Sequence, residues 1–233
     1  MAEPASASAV FGPALDVARE YAALLTGAAV ERGLIGPAEA GRIWERHLLN
    51  SAVVADLVPE RCTLADLGSG AGLPGVVLAI MRPLAMVTLV EPMARRTAFL
   101  EECVGRLGLG NVRVRRGRAE DLAGQVEADI VTARAVASLD RLAGLAAGLA
   151  RPGGTVLAIK GASAAAELGR AMPELRRIGA SGVELLRVGE GVLDQPTTVV
   201  RFTTATRSRD RGAGRRSAPR PSGGARHRGA RPR

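Results

Sequence analysis

From residue 62 onward, short apolar runs alternate with longer stretches in which apolar residues recur every three or four positions. The short runs predict strands over 62–67, 86–91, 111–116, 128–133, 155–160, 183–188 and 197–203, and the longer ones predict helices over 73–82, 93–107, 138–150 and 164–178. Such alternation predicts an α/β fold with a mostly parallel sheet covered on both faces. Strand 111–116 reads NVRVRR, with Val112 and Val114 on one side and Arg113 and Arg115 on the other. Half-polar alternation of this kind suits an edge strand. Only GEGVLDQP separates the last two strands, so they are expected to pair as an antiparallel hairpin.

Upstream of 62 the period is helical. Leu15, Ala18, Ala22 and Leu25 form one stripe, Gly33 and Gly36-Pro37 interrupt it, and AEAGRIWERHLLNSAVVADLV resumes it. Trp44 and His47, three residues apart, are expected to share a helix face. The expected organisation is a flexible leader over 1–12 and one domain over 13–204. That domain divides into an N-terminal helical cap (13–60) and a Rossmann-like core (61–204). After 204 the apolar pattern stops. The remaining Arg, Gly, Pro and Ser cannot bury enough surface to fold, which predicts a disordered basic tail over 205–233.

Charge changes the picture in one respect. Of 233 residues, 32 are basic and 23 acidic, a net charge of +9. Residues 205–233 hold ten arginines and one acid, so the tail carries that whole excess and the body is neutral. The tail could attract RNA phosphates without sequence preference, or be dispensable. Every basic residue but one is arginine, and the exception is Lys160. In so arginine-biased a chain, a surviving lysine is either chance or a position needing a compact point charge. Two cysteines, Cys62 and Cys103, offer neither a disulfide framework nor metal spacing. No apolar run reaches membrane length and no secretory pattern is visible at the start. A cytoplasmic, metal-free protein, expected to be a monomer, is the default.

Candidate chemistry concentrates in TLADLGSGAGLPGVVLAI, residues 63–80. A strand ending in Asp66 gives way to Gly68, Gly70 and Gly72, and a helix opens near Leu73-Pro74-Gly75. Glycines allow positive φ and let bare backbone approach a ligand, and a helix N-terminus presents N–H groups to it. Gly70, Gly72 and Gly75 fit a dinucleotide fingerprint. Asp66, Gly68, Gly70 and Gly72 fit the S-adenosylmethionine (SAM) loop of Rossmann-like methyltransferases. A tight turn without a ligand would use the same residues. Strand 86–91 ends in Glu91, where such folds grip ribose hydroxyls; an ion pair with Arg95 is the plainer role. Beyond the other strand ends lie Ala119 and Glu120, which could hold an adenine edge, then Arg134 and Lys160. A parallel sheet finishing in a hairpin looks like the SAM-methyltransferase fold, seven strands in the order 3-2-1-4-5-7-6.

The methyl acceptor is narrowed by exclusion. No Pro-Pro exists for the motif that accompanies exocyclic-amine methylation, and neither cysteine stands at a strand-end rim. A single lysine cannot supply the pair common in ribose 2′-O methylation. Guanine N7 has a free lone pair at neutral pH and needs no general base, so alignment suffices. A small-molecule acceptor also remains. Arg134, Lys160 and His47 are candidates for positioning the substrate; packing against Trp44 is the plainer role for His47.

RHLLNS (46–51), DLGSGAGLPG (66–75), RRTAFL (95–100), GRAED (117–121), ARA (133–135) and IKG (159–161) occur in order and with familiar spacing. In these, over about 13–203, the chain resembles the ribosomal small-subunit methyltransferase G family, the glucose-inhibited division protein B family. The resemblance implies a bacterial, cytoplasmic enzyme that uses SAM to methylate N7 of one guanine, guanine-527, in the 530 loop of 16S ribosomal RNA. It implies cofactor roles for Gly68, Leu73, Ala119, Glu120 and Arg134, and Glu91 stands where the family has an acid for the ribose. Asn50 stands where the family usually has Asp, which puts a substrate-side carboxylate in doubt. Alternatives are a SAM-dependent small-molecule methyltransferase, a non-catalytic RNA-binding protein acting through its tail and, last, a nicotinamide-binding protein.

Overall fold

A computed structural model describes residues 3–206. Helices α1 (Ser6–Phe11), α2 (Leu15–Thr26), α3 (Ala28–Glu31) and α4 (Pro37–Ala40) are followed by a π-helix over Ile43–Leu49. The short α5 (Asn50–Ala52) and a 3-10 turn over Val53–Leu57 complete the cap. The core then runs β1 (Thr63–Leu67), α6 (Gly75–Met81), β2 (Met86–Glu91), α7 (Ala94–Arg106), β3 (Val112–Arg116) and α8 (Ala119–Leu122). It continues with β4 (Ala128–Arg134), α9 (Leu139–Leu149), β5 (Ala150–Lys160), α10 (Ala164–Arg177), β6 (Ser181–Val188) and β7 (Thr197–Thr203). The sheet order is β3-β2-β1-β4-β5-β7-β6, parallel from β3 to β5, with β7 antiparallel to both β5 and β6. Half-polar β3 is the expected edge, and the terminal pair is the expected hairpin. Strand β5 starts at Ala150 rather than at the expected residue 155, with Gly153 inside it at φ +76°.

Alternation along the strands sorts residues to two apolar layers. Leu64, Val87, Leu89 and Val112 meet the cap, α6 and α7, while Ala65, Leu67, Val90, Val131 and Ala133 meet α9 and α10. On α9 the buried set Leu139, Leu142, Ala143, Ala146 and Leu149 keeps the 3.6 period that predicted the helix.

The cap departs from expectation in three places. Residues read as a leader are packed: Ala7 and Phe11 of α1 are buried, and Phe11 meets Trp44 edge-to-face, ring centres 6.1 Å apart. The helical stretch after Pro37 is not one α-helix. Its buried residues in the π-helix are Ile43, Trp44, Leu48 and Leu49, pairs five apart, as the wider turn requires. His47 therefore does not share Trp44's face. The tail, from 207 on, lies outside the described residues.

Candidate active site

The β1–α6 loop is held from behind. Asp66 is fully buried; its carboxylate accepts from Thr132 Oγ1 at 2.9 Å and from the Gly75 N–H at 3.2 Å. It ties β1 to β4 and to the start of α6, and lines none of the clefts described below. Burial raises its carboxyl to about 6, against the hydrogen bonds it accepts. From the cap, the Tyr21 hydroxyl donates to the Ala71 carbonyl at 2.7 Å. Gly72 is required by this packing: a Cβ there would stand 2.6 Å from both the Tyr21 oxygen and Val76. A Cβ on Gly70, at φ +60°, would meet only the Gly68 carbonyl oxygen, at 3.9 Å. The Gly70 N–H donates to Glu91 Oε2 at 3.0 Å, and Met93 N–H donates to Oε1 at 3.0 Å. The buried Glu91 carboxylate thus joins the glycine loop to the end of β2. Its cationic neighbour is Arg96, at 3.7 Å, rather than the expected Arg95.

Three concavities meet at Ala135, two of them bordered by this loop. One cleft, of about 470 Å³, is lined by Gly68, Glu91, Met93, Ala119, Glu120 and Leu145 among others. A second, of about 280 Å³, lies under the cap between Glu39, His47, Gly68, Gly70, Leu73 and Arg134. A groove of about 970 Å³ runs past Arg46, Arg134, Lys160, Arg170, Arg187 and Gln195. Ala135 lines all three. It has φ +55°, the one positive-φ residue other than glycine among those described, and is strained by its Cβ.

The rim side chains have partners. Arg134 Nη2 lies 2.9 Å from His47 Nδ1, and Arg134 Nη1 is 3.4 Å from the Arg46 carbonyl. His47 Nε2 lies 2.9 Å from Glu39 Oε2, and Arg46 reaches Glu39 Oε1 at 3.0 Å. Burial, then the neighbouring Arg134, holds the His47 pKa below its ordinary value, so the ring is neutral at pH 7. Lys160 donates to the Ala137 carbonyl at 2.9 Å and pairs with Glu167 at 2.9 Å. Asn50 accepts from Thr197 at 2.5 Å, tying the cap to β7. Burial pushes Cys62 up to about 11 and Cys103 to about 12, so neither is a thiolate at neutral pH.

The structure therefore brings Gly68, Gly70, Leu73, Glu91, Ala119, Glu120, Arg134, His47 and Lys160 to one rim, and sets Asp66 and Gly72 beneath it. Sequence reasoning did not single out Glu39, Tyr21, Arg96 or Ala135. Only Tyr21 had a signal, as the single tyrosine of an aromatic-poor chain. Among the described residues no cluster of three His, Cys, Asp or Glu could hold a metal, and no helix is long and apolar enough to cross a membrane.

A glycine loop, a buried acid at the end of β2 and this strand order define a Rossmann-like methyltransferase. The fold matches a SAM-dependent O-methyltransferase from Thermotoga maritima with TM-score 0.55 at 14% identity, over 68% of this chain and 65% of that one. The profile of the rRNA small subunit methyltransferase G family matches residues 15–189. A ribosomal RNA small subunit methyltransferase G from Thermobifida fusca is 54% identical over 226 residues, 96% of this chain and 95% of that protein. One from Pseudarthrobacter chlorophenolicus is 50% identical over 201 residues, 86% of this chain and 93% of that protein. The chain belongs to the rRNA small subunit methyltransferase G family.

Proposed function

We propose that the protein methylates N7 of a single guanine in the 530 loop of 16S ribosomal RNA, in the cytoplasm, with SAM as cofactor. The clefts suit that cofactor. Glu91 puts a buried carboxylate on the wall where ribose hydroxyls would lie, and the backbone at Ala119–Glu120 offers an adenine edge its partners. The backbone at Gly70 leaves room beside the second cleft for the amino-acid end, whereas Gly68 lies close under Val136. When bound, SAM supplies a methyl group on a positively charged sulfur. The residues around Ala135, where cofactor cleft and groove meet, then decide what reaches that carbon.

One observation carries the choice of N7. The groups that could take a proton around Arg134 and Lys160 are already engaged, whereas Glu120 in the first cleft and Asp194 in the groove have no partner among the described residues. His47 Nδ1 faces Arg134, Glu39 faces His47 and Arg46, and Glu167 faces Lys160 and Ser163. An acceptor that must lose a proton beside Arg134 or Lys160 would need one of these free. Guanine N7 carries none, so the chain has only to orient the base and exclude water. Arg134 retains donors toward the groove for an oxygen such as guanine O6, and Arg170 and Arg187 suit RNA phosphates.

Incubating the protein with 16S rRNA and SAM carrying a labelled methyl, then digesting the RNA, tests this. Label should appear as 7-methylguanosine in the 530 loop, and Arg134→Ala should lower the rate. Label on another nucleotide, or transfer to small molecules alone, rejects the assignment.

A further inference from the structure

We infer that Glu39 is a positioning residue for methyl transfer: through the neutral imidazole of His47 it holds Arg134 at the rim, and a proton on His47 loosens that hold. The inference rests on the reading above only in assigning Arg134 to the rRNA reaction.

A guanidinium can only donate. With Arg134 Nη2 2.9 Å away, His47 Nδ1 must therefore accept, and the ring must be neutral. The ring proton then lies on Nε2, which donates to Glu39 Oε2. Glu39 thus sets the tautomer that leaves Nδ1 free to accept. Arg46 closes a second path between the same two ends: its side chain bonds Glu39 and its carbonyl faces Arg134. Consecutive residues of the π-helix therefore hold both arms of one guanidinium with neutral acceptors. Among the described residues no carboxylate lies within ion-pair distance of Arg134, so its charge is left for a ligand.

The charged groups facing His47 are Arg134 from β4, Glu39 from α4 and Arg46 on its own helix, with Arg96 across the same cleft. Protonation turns Nδ1 into a donor aimed at a donor and sets two cations side by side in a half-buried site. The contact must break, and Arg134 keeps only the longer one to the Arg46 carbonyl. Glu39 favours the imidazolium while Arg134 and burial oppose it. Glu39→Gln should therefore extend the neutral range to lower pH.

The full chain has two histidines, His47 and His227, so ¹⁵N spectra of histidine-labelled protein, assigned with His227→Gln, read the ring directly. His47 should be the Nε2–H tautomer and titrate below free histidine, lower still in Glu39→Gln. Single-turnover transfer to 16S rRNA should lose rate toward acid along the same titration, and that limb should move to lower pH in Glu39→Gln. In His47→Asn an amide oxygen replaces the Nδ1 acceptor and cannot protonate. The acid limb should vanish from whatever transfer remains at neutral pH. A histidine with its proton on Nδ1, or an acid limb unmoved by both substitutions, overturns the inference. Should wild type methylate no rRNA, the functional reading fails, and the imidazole spectra still decide the relay.

Discussion

Asp66 lies beneath the candidate site rather than on its walls. It accepts from Thr132 and Gly75 away from water, and its carboxyl sits at about 6 rather than the ordinary 3.8. Between those values the folded chain keeps a proton that the unfolded chain has lost. Stability therefore falls as pH rises through that window. A shift of two units is worth on the order of 2–3 kcal/mol. Asp66→Asn should remove that decline, measured as the difference in unfolding free energy between pH 4 and pH 7. Asp66→Ala should destabilise at every pH by roughly 2–4 kcal/mol, because two buried donors lose their acceptor. Gly70 differs in kind. It borders the second cleft, where a Cβ would meet only the Gly68 carbonyl oxygen at 3.9 Å, so Gly70→Asp puts a charged side chain in the cofactor's path and a Cβ at φ +60°. Calorimetry should show SAM binding lost; retained micromolar affinity would reject the site.

Elements place these residues against one another. The cap reaches the glycine loop through the Tyr21 hydroxyl on α2, and reaches the rim through the π-helix. Tyr21→Phe keeps the ring packed and removes a single buried hydrogen bond. It should cost roughly 1–2 kcal/mol in denaturant unfolding and weaken SAM binding several-fold, because the Ala71 carbonyl loses its anchor. An α-helix across Ile43–Leu49 would turn His47 away from Arg134, since the π-turn is what lets Trp44 bury against Phe11 while His47 faces the cleft. The alternation of NVRVRR placed β3 at the edge, because a strand with one neighbour leaves polar side chains in water. Nothing comparable in AEAGRIWERHLLNS marks a π-turn. The five-residue spacing of its buried pairs is visible only once the partners of each are known.

Over the whole molecule, basic and acidic side chains balance across residues 1–204, while the ten arginines of 205–233 supply the net charge. Attraction to bulk RNA should therefore belong to the tail and transfer chemistry to the body. Deleting 207–233 should preserve methyl transfer to 16S rRNA at low salt. It should also flatten the dependence of RNA affinity on salt concentration, since fewer counterions are released. Loss of transfer in the truncated chain would place part of the reaction machinery in the tail.

Sequence alone determined the layers, the strand order and the loop. Period two and period 3.6 are local, and a glycine loop followed by an acid one strand later is a property of neighbouring segments. Gly68, Glu91, Ala119, Glu120 and Arg134 could be placed at or just beyond strand ends because the pattern had already located those ends. Tertiary structure decided which of them face a cavity. It put Asp66 and Gly72 under the loop, set Glu39 behind His47, and forced Ala135 to positive φ where three concavities join. Each of those outcomes depends on contact between segments tens of residues apart, and residue spacing along the chain carries no record of such distances.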